Sequence, residues 1–186
     1  MAELKIGLIG GSGLGEAMRS RAEGGEVRRH AMETPFGRPS DEILETALDG
    51  LPVLFLSRHG PGHTLNPSQV PYRANIFALK QLGCTHIIAS GAVGSLRDHV
   101  KPRDLVIPDQ VIDKTFRRPG TFFERAAVHV EFSEPFCPVL RRILVEEGST
   151  GEGAAPAPES TPTPPVTVHP GGCYVEIGRA SCRERV

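Results

Sequence analysis

Lys5-Ile6-Gly7-Leu8-Ile9-Gly10-Gly11-Ser12-Gly13 is the stretch on which the reading of the fold turns. Lys5 to Ile9 is a short apolar run ending in glycines, which predicts a buried strand feeding a loop. Outward from it the same pattern recurs. Ile43 to Leu48 alternates loosely, Asp49-Gly50 is a tight-turn dipeptide, and Leu51 to Leu56 is apolar again, which predicts a hairpin. From Pro71 to Leu82 the apolar residues Ile76, Leu79 and Leu82 recur at helical spacing, and Gly83 is placed to end the helix. Thr85 to Ala89 is a β-branched, apolar strand that delivers the small-residue turn Ser90-Gly91-Ala92-Val93-Gly94-Ser95. Asp104 to Ile107 predicts another buried strand, and Pro138 to Val145 a helix with Leu140, Ile143 and Leu144 on one face. Strands alternating with helices and joined by glycine-rich loops define an α/β class with a mostly parallel or mixed sheet.

The composition changes after that helix. Residues 146–165 are Gly, Ala, Pro, Ser, Thr and Glu with almost no large apolar side chain, so they read as a disordered insertion that cannot offset its ordering entropy. Val166 to Val175 regains strand character, and residues 176–186 have no periodicity. The chain carries 21 basic and 22 acidic side chains, a formal charge of -1, which leaves no net field to steer it onto nucleic acid or anionic lipid. Nothing at the N-terminus reads as a signal peptide and no apolar stretch is long enough to span a bilayer, so the expected setting is cytoplasmic, with neither nucleic acid nor membrane as partner. Cys84, Cys137, Cys173 and Cys182 lack metal-ligand spacing and read as buried thiols in a reducing compartment. Trp is absent and Tyr occurs twice, which argues against a stacking platform for single strands.

Three strand ends carry residues suited to an anion. Gly10-Gly11-Ser12-Gly13 can turn backbone N–H groups into one concavity, with Ser12 adding a hydroxyl. Its spacing matches neither the dinucleotide fingerprint nor the phosphate loop of nucleotide triphosphatases, and taken alone it reads rather as an ordinary tight turn after a strand. Arg58-His59, after Ser57, offers a planar fork of donors and an imidazole able to donate through either nitrogen, against the plainer reading of a solvated surface charge. His63 lies four residues beyond His59, but Gly60-Pro61-Gly62 between them excludes a helical metal face, and no metal is expected. Gly91 and Ala92 place further backbone donors after a strand. Ligands in open α/β sheets sit beyond the carboxyl ends of strands, so the three loops together point to one small anion. Thr34 to Ser40, dense in Pro and Gly, reads as a rigid surface loop. His129, in Val128-His129-Val130, alternates like a strand residue and by itself reads as structural.

Several stretches together resemble one known family. They are Ile9 to Leu14, Thr34 to Gly37, Arg58-His59-Gly60 with His63 and Pro67, and Tyr72 to Ile76 with Ala78-Leu79-Lys80. They continue with Ala92 to Leu96, Asp104 to Gln110, Glu134 to Cys137 and, later, Gly171 to Val175. In this order they are similar to the methylthioadenosine phosphorylases, within the trimeric purine nucleoside phosphorylases. The resemblance implies a phosphorylase/hydrolase-like fold with a mixed central sheet flanked by helices, incomplete at the C-terminus. It places residues 1–145 in the N-terminal part of that domain, 146–165 as an insertion and 166–175 as a returning strand. The same resemblance implies phosphorolysis of 5'-methylthioadenosine to adenine and 5-methylthioribose 1-phosphate, in purine and methionine salvage, with inorganic phosphate as co-substrate and no cofactor. Ser12, Arg58, His59, Gly91 and Ala92 would hold phosphate; where some relatives have a hydroxyl residue this chain has Gly91, leaving a backbone contact. His129 would reach a neighbouring subunit's pocket in a homotrimer.

Such a reaction needs no covalent residue. Phosphate held under the sugar is both the nucleophile and the charge that stabilises the developing oxocarbenium ion. The acid that protonates the leaving purine comes later in the family pattern, beyond the motifs present here, so no catalytic residue is assigned and the 186-residue chain alone is expected to be inactive. From about Glu176 the pattern is lost, and residues 176–186 are expected to be foreign or frameshifted. A phosphorylase for 6-oxopurine nucleosides or methylthioinosine, and a non-catalytic phosphate-binding fragment, are the readings that remain open beside it.

Overall fold

The computed structural model describes residues 3–11, 14, 18, 26–150 and 166–177. Their contacts divide them into two compact units, one from residues 1–92 with 116–122, the other from 93–115 with 123–177. The first unit is built on a five-stranded mixed sheet: β1 (Ile6–Gly10), β2 (Arg28–His30), β3 (Ile43–Leu48), β4 (Leu51–Ser57) and β5 (His86–Ala89), in the order β2-β3-β4-β1-β5. β1 runs parallel to both β4 and β5, whereas β3 is antiparallel to β4 and to β2. The β3–β4 hairpin is closed by Asp49 and Gly50, both at positive φ (50° and 79°), the twist that matches a two-residue hairpin loop.

Each strand alternates across the sheet, and the alternation builds a core on both faces. Ile9, Ile43, Leu54 and Leu56 pack with Ala78 and Leu79 of helix α1 (Tyr72–Gln81) on one face. Leu44, Val53 and Phe55 pack with Met18 on the other, joined by Leu8 and Leu14. Gly83, at φ 84°, ends α1 as expected: the Cys84 N–H reaches the Leu79 carbonyl at 3.0 Å, a six-residue closure that needs the left-handed glycine.

The second unit holds two short parallel pairs and a helix. β6 (Leu105–Val106) pairs with β8 (Val168–His169), and β7 (Gln110–Asp113) with β9 (Cys173–Glu176). Helix α2 (Pro138–Thr150) is held by Arg141, whose guanidinium donates to the carbonyls of Pro108 (2.8 Å) and Pro170 (2.7 Å). His169 Nε2 meets Asp104 Oδ2 at 2.8 Å, and this bond holds the Asp104 carboxyl below the usual range.

Several expectations are corrected here. The strand at Asp104 to Ile107 spans two residues and is not buried, Leu105 being 45% exposed. Helix α2 runs to Thr150 and not to Val145, because Glu146 and Glu147 are good helix formers and the Ser149 and Thr150 hydroxyls bond back to the carbonyls of Val145 and Glu147. Ile143 on its apolar face is exposed. The returning strand of 166–175 is two strands, interrupted at Pro170-Gly171-Gly172, where φ of Gly172 is 145°. Glu176 belongs to β9, opposite Asp113, and its carbonyl accepts the Lys114 N–H at 2.8 Å, so the pattern extends past the point where the sequence motifs lapse. Cys84 is half-buried, but Cys137, just before α2, and Cys173, at the start of β9, are exposed. The insertion's residues 151–165 and the tail 178–186 lie outside the described residues. Among the described residues no helix is long and apolar enough to cross a membrane.

Candidate functional site

Strand register creates the site. Gly10 lies opposite Ser57, and Ile9 opposite Ala89, so the parallel strands β1, β4 and β5 end level with one another. The next residue of each, Gly11, Arg58 and Ser90, therefore emerges at one edge. Two backbone bonds lock the exits: Arg58 N–H to the Gly10 carbonyl and Ser90 N–H to the Ile9 carbonyl, both 2.9 Å. The Arg58 side chain reaches from the end of β4 to the β1 and β5 loops. Its Nη1 donates to the Ser90 carbonyl at 2.8 Å, and its Nη2 would be 3.5 Å from a Cβ on Gly91 and 3.9 Å from one on Gly11. Those glycines bring main chain without a Cβ close to the Nη2 end of the guanidinium. An arginine fork flanked by bare backbone at three parallel strand ends can receive a tetrahedral oxyanion.

His59 contributes differently from expectation. Its Nδ1 donates to the Leu65 carbonyl at 2.8 Å, and Arg58 Nε donates to its Nε2 at 3.3 Å. A carbonyl only accepts and a guanidinium only donates, so the ring is neutral, with its proton on Nδ1. It does not have a free choice of donor nitrogen: Nδ1–H goes to Leu65, and the single in-plane lone pair of Nε2 takes the Arg58 Nε–H. Burial, first, and then the adjacent charges of Arg58 and His63 hold its pKa below the ordinary 6.5, against the Leu65 bond, which favours the charged form. The sign follows directly. The unfolded chain takes up this proton before the folded one, so the stability owed to neutral His59 is present above the unfolded value and is lost as pH falls through the folded pKa. NMR titration of the His59 ring should give a midpoint below 6.5 with the Nδ1–H tautomer above it; a midpoint above 6.5 would contradict this geometry.

Gly91 and Ala92 are exposed and irregular, on the β5 loop beside Arg58. Ser12 lies outside the described residues. His129 belongs to the second unit, is exposed and sits in no strand, so its strand-like alternation is corrected; nothing among the described residues pairs with that segment as a strand. The Thr34–Ser40 loop is more than a surface loop. Thr34 is buried, Thr34 and Gly37 exchange backbone bonds at 3.0 and 3.1 Å, and the Phe36 ring packs edge-on to Phe77 and Phe122. Ser40 and Asn75, which brace the Arg58 turn, were not singled out from the sequence; a polar residue in the apolar phase of an amphipathic helix, as Asn75 is, was the available signal. Among the described residues no group of three His, Cys, Asp or Glu side chains is placed to hold a metal ion.

The model of the phosphorylase superfamily matches residues 5–177, and the chain belongs to that family. It is 46% identical over 175 residues to S-methyl-5'-thioadenosine phosphorylase of Geobacter sulfurreducens, covering 93% of this chain and 55% of that one. To the enzyme of the same name from Chloroflexus aurantiacus it is 52% identical over 147 residues, 78% of this chain and 50% of that one. The structure of methylthioadenosine phosphorylase from Schistosoma mansoni in complex with tubercidin superposes with a TM-score of 0.79 at 36% identity, covering 94% of this chain and 63% of that one. A ligand-free double mutant of adenosine/methylthioadenosine phosphorylase from the same organism gives 0.82 at 36% identity, covering 97% and 65%. The chain spans about half the length of the curated relatives it matches. The mixed sheet flanked by helices is thus the fold of this superfamily.

Proposed function

We propose that this chain is the phosphate-holding part of a nucleoside phosphorylase that cleaves 5'-methylthioadenosine to adenine and 5-methylthioribose 1-phosphate. The observation that carries the reading is the Arg58 guanidinium beside the β1 and β5 loops, each of which brings a glycine next to it. An enzyme of this kind places phosphate against one face of the sugar, where its charge stabilises the oxocarbenium ion and its oxygen attacks C1'. Arg58 would fix two phosphate oxygens, His59 would hold that guanidinium at the phosphate through Nε2, and Ser12 with the backbone at Gly91 and Ala92 would complete the cradle. No cofactor is needed, because the attacking group is the co-substrate itself. The similarity to relatives named for methylthioadenosine supports that nucleoside over a 6-oxopurine or methylthioinosine.

In this reading residues 1–145 and 166–175 are portions of one phosphorylase domain, 146–165 bring an insertion, and the closing residues are foreign to it. The protein is cytoplasmic and forms a homotrimer in which His129 enters a neighbour's pocket. Support for the trimer comes from the irregular segment around His129, which displays Val128, Val130 and Phe132 at 47%, 70% and 58% exposure, a surface that a second copy would cover.

Two preparations test this. The purified 186-residue chain should bind inorganic phosphate and release no adenine. A chimera in which residues 1–177 replace the matching part of the Geobacter sulfurreducens enzyme should release adenine from 5'-methylthioadenosine and sediment as a trimer. A folded chimera that cleaves inosine or methylthioinosine in preference would move the reading to the 6-oxopurine branch. One that binds phosphate but cleaves no nucleoside would leave only phosphate binding, and a monomeric active chimera would remove the trimer.

A further inference from the structure

Three polar residues are buried among the described ones, Thr34, Ser40 and Asn75, and two of them meet beneath the Arg58 turn. Asn75, on α1, is 2% exposed, and its Oδ1 accepts the Ser40 N–H at 2.8 Å. Ser40, 8% exposed, donates its hydroxyl to the Ser57 carbonyl at 2.9 Å. The same hydroxyl lies 3.2 Å from Asn75 Oδ1, but its single proton goes to the nearer acceptor. The Ser57 carbonyl also accepts the Gly60 N–H, over a longer 3.3 Å. Ser40's own carbonyl presses on the far side of the turn, 2.9 Å from where a Cβ on Gly60 would stand.

Ser57 and Gly60 bracket Arg58 and His59, and both rest on Ser40. Buried polar groups cost stability unless paired, and an apolar contact at this position would give the fold its packing without that cost. What an apolar contact cannot do is hold the Ser57 carbonyl at a set angle. We propose that Ser40, itself held by Asn75, is a positioning residue that aims Arg58 and His59 at phosphate without touching it. The inference rests on the phosphate reading of the site. Its mechanism is orientation: a small misplacement of a charged fork loses much of its binding, whereas the core packs against other residues.

The test is titration calorimetry of inorganic phosphate into the 186-residue chain, with thermal midpoints measured in parallel. Ser40→Ala should weaken phosphate binding about tenfold, the worth of one buried hydrogen bond, while Ser40→Thr, which keeps the hydroxyl, stays within about threefold of the parent. Phe55→Leu, in the core on the opposite face of the sheet, should lower the midpoint yet leave affinity within about twofold. Should Ser40→Ala fail to fold, Ser40→Cys, with a weaker donor, takes its place with about a threefold loss. The inference is overturned if Ser40→Ala (or its substitute) binds phosphate like the parent, if Ser40→Thr is as weak as Ser40→Ala, or if Phe55→Leu loses as much. Loss of binding in Arg58→Ala alone, with Ser40→Ala unaffected, removes the positioning role and keeps the phosphate site. A parent chain that binds no phosphate, or binds it equally without Arg58, removes both.

Discussion

Arg58→Ala is expected to raise the dissociation constant for inorganic phosphate by about 100- to 1000-fold. Hydrogen bonds to charged groups contribute about 1.5–3 kcal/mol each, and a guanidinium offers a tetrahedral oxyanion two of them in parallel. Losing both corresponds to about 3–4 kcal/mol at the lower end of that range, which is that fold-change. The substitution also removes the donor to Ser90 and the partner of His59 Nε2, so the β5 loop and the imidazole lose their common anchor. Arg58→Lys should recover little, because an ammonium is a point charge that cannot span Ser90, His59 and two ligand oxygens at once. Calorimetric titration with phosphate measures both variants. Binding within about threefold of the parent for Arg58→Ala would show that the anion does not sit there.

Gly60→Ala is expected to destabilise the first unit by about 2–4 kcal/mol, at the high end for one methyl group. Two effects combine. Gly60 has φ 73° and ψ -180°, a conformation open to glycine and strained for any other residue. Its added Cβ would also stand 2.9 Å from the Ser40 carbonyl oxygen, a backbone atom of a residue whose N–H is tied to Asn75 and whose hydroxyl is tied to Ser57. Gly37→Ala separates the two. Gly37 is also at positive φ (93°), but a Cβ there meets nothing within 4 Å, so it should cost only the strain, about 1–2 kcal/mol. Urea unfolding of both variants gives the comparison; equal losses would mean the Gly60–Ser40 contact carries no energy. Phosphate affinity should fall in Gly60→Ala and hold in Gly37→Ala.

The two substitutions mark where the sequence was legible. Gly60 is legible as a glycine directly after Arg58-His59, but the close approach of the Ser40 carbonyl that it accommodates comes from a distant part of the chain. The hairpin at Asp49-Gly50 was readable because a two-residue turn and its flanking alternation are local. Helix α1 and its glycine stop were readable for the same reason. β7 was not, since Gln110 to Asp113 has little apolar character and is a strand only because Cys173 to Glu176 lies beside it. Strand β2 (Arg28–His30) escaped for a similar reason: its side chains are polar, and His30 finds its partner in Glu45 on β3 at 2.7 Å. The same Glu45 takes Lys5 at 2.7 Å, and the Lys5 and His30 bonds hold its carboxyl below the usual range, which no spacing announces.

By itself the sequence determined the α/β class, the elements with strong local periodicity, the glycines at strand ends and the standing of Arg58 and His59 as candidate anion ligands. These follow from residue chemistry and from spacing within a few turns of chain. Tertiary structure decided the rest. Only the pairing of Gly10 with Ser57 and of Ile9 with Ala89 brings three separate loops to one edge. Only the Leu65 carbonyl and Arg58 choose the tautomer of His59. Only the fold sets Ser40 between Asn75 and Ser57, residues 35 and 17 positions away. Register and burial are properties of pairs distant in the chain, and a hydrogen bond's direction is set by whichever partner the fold supplies.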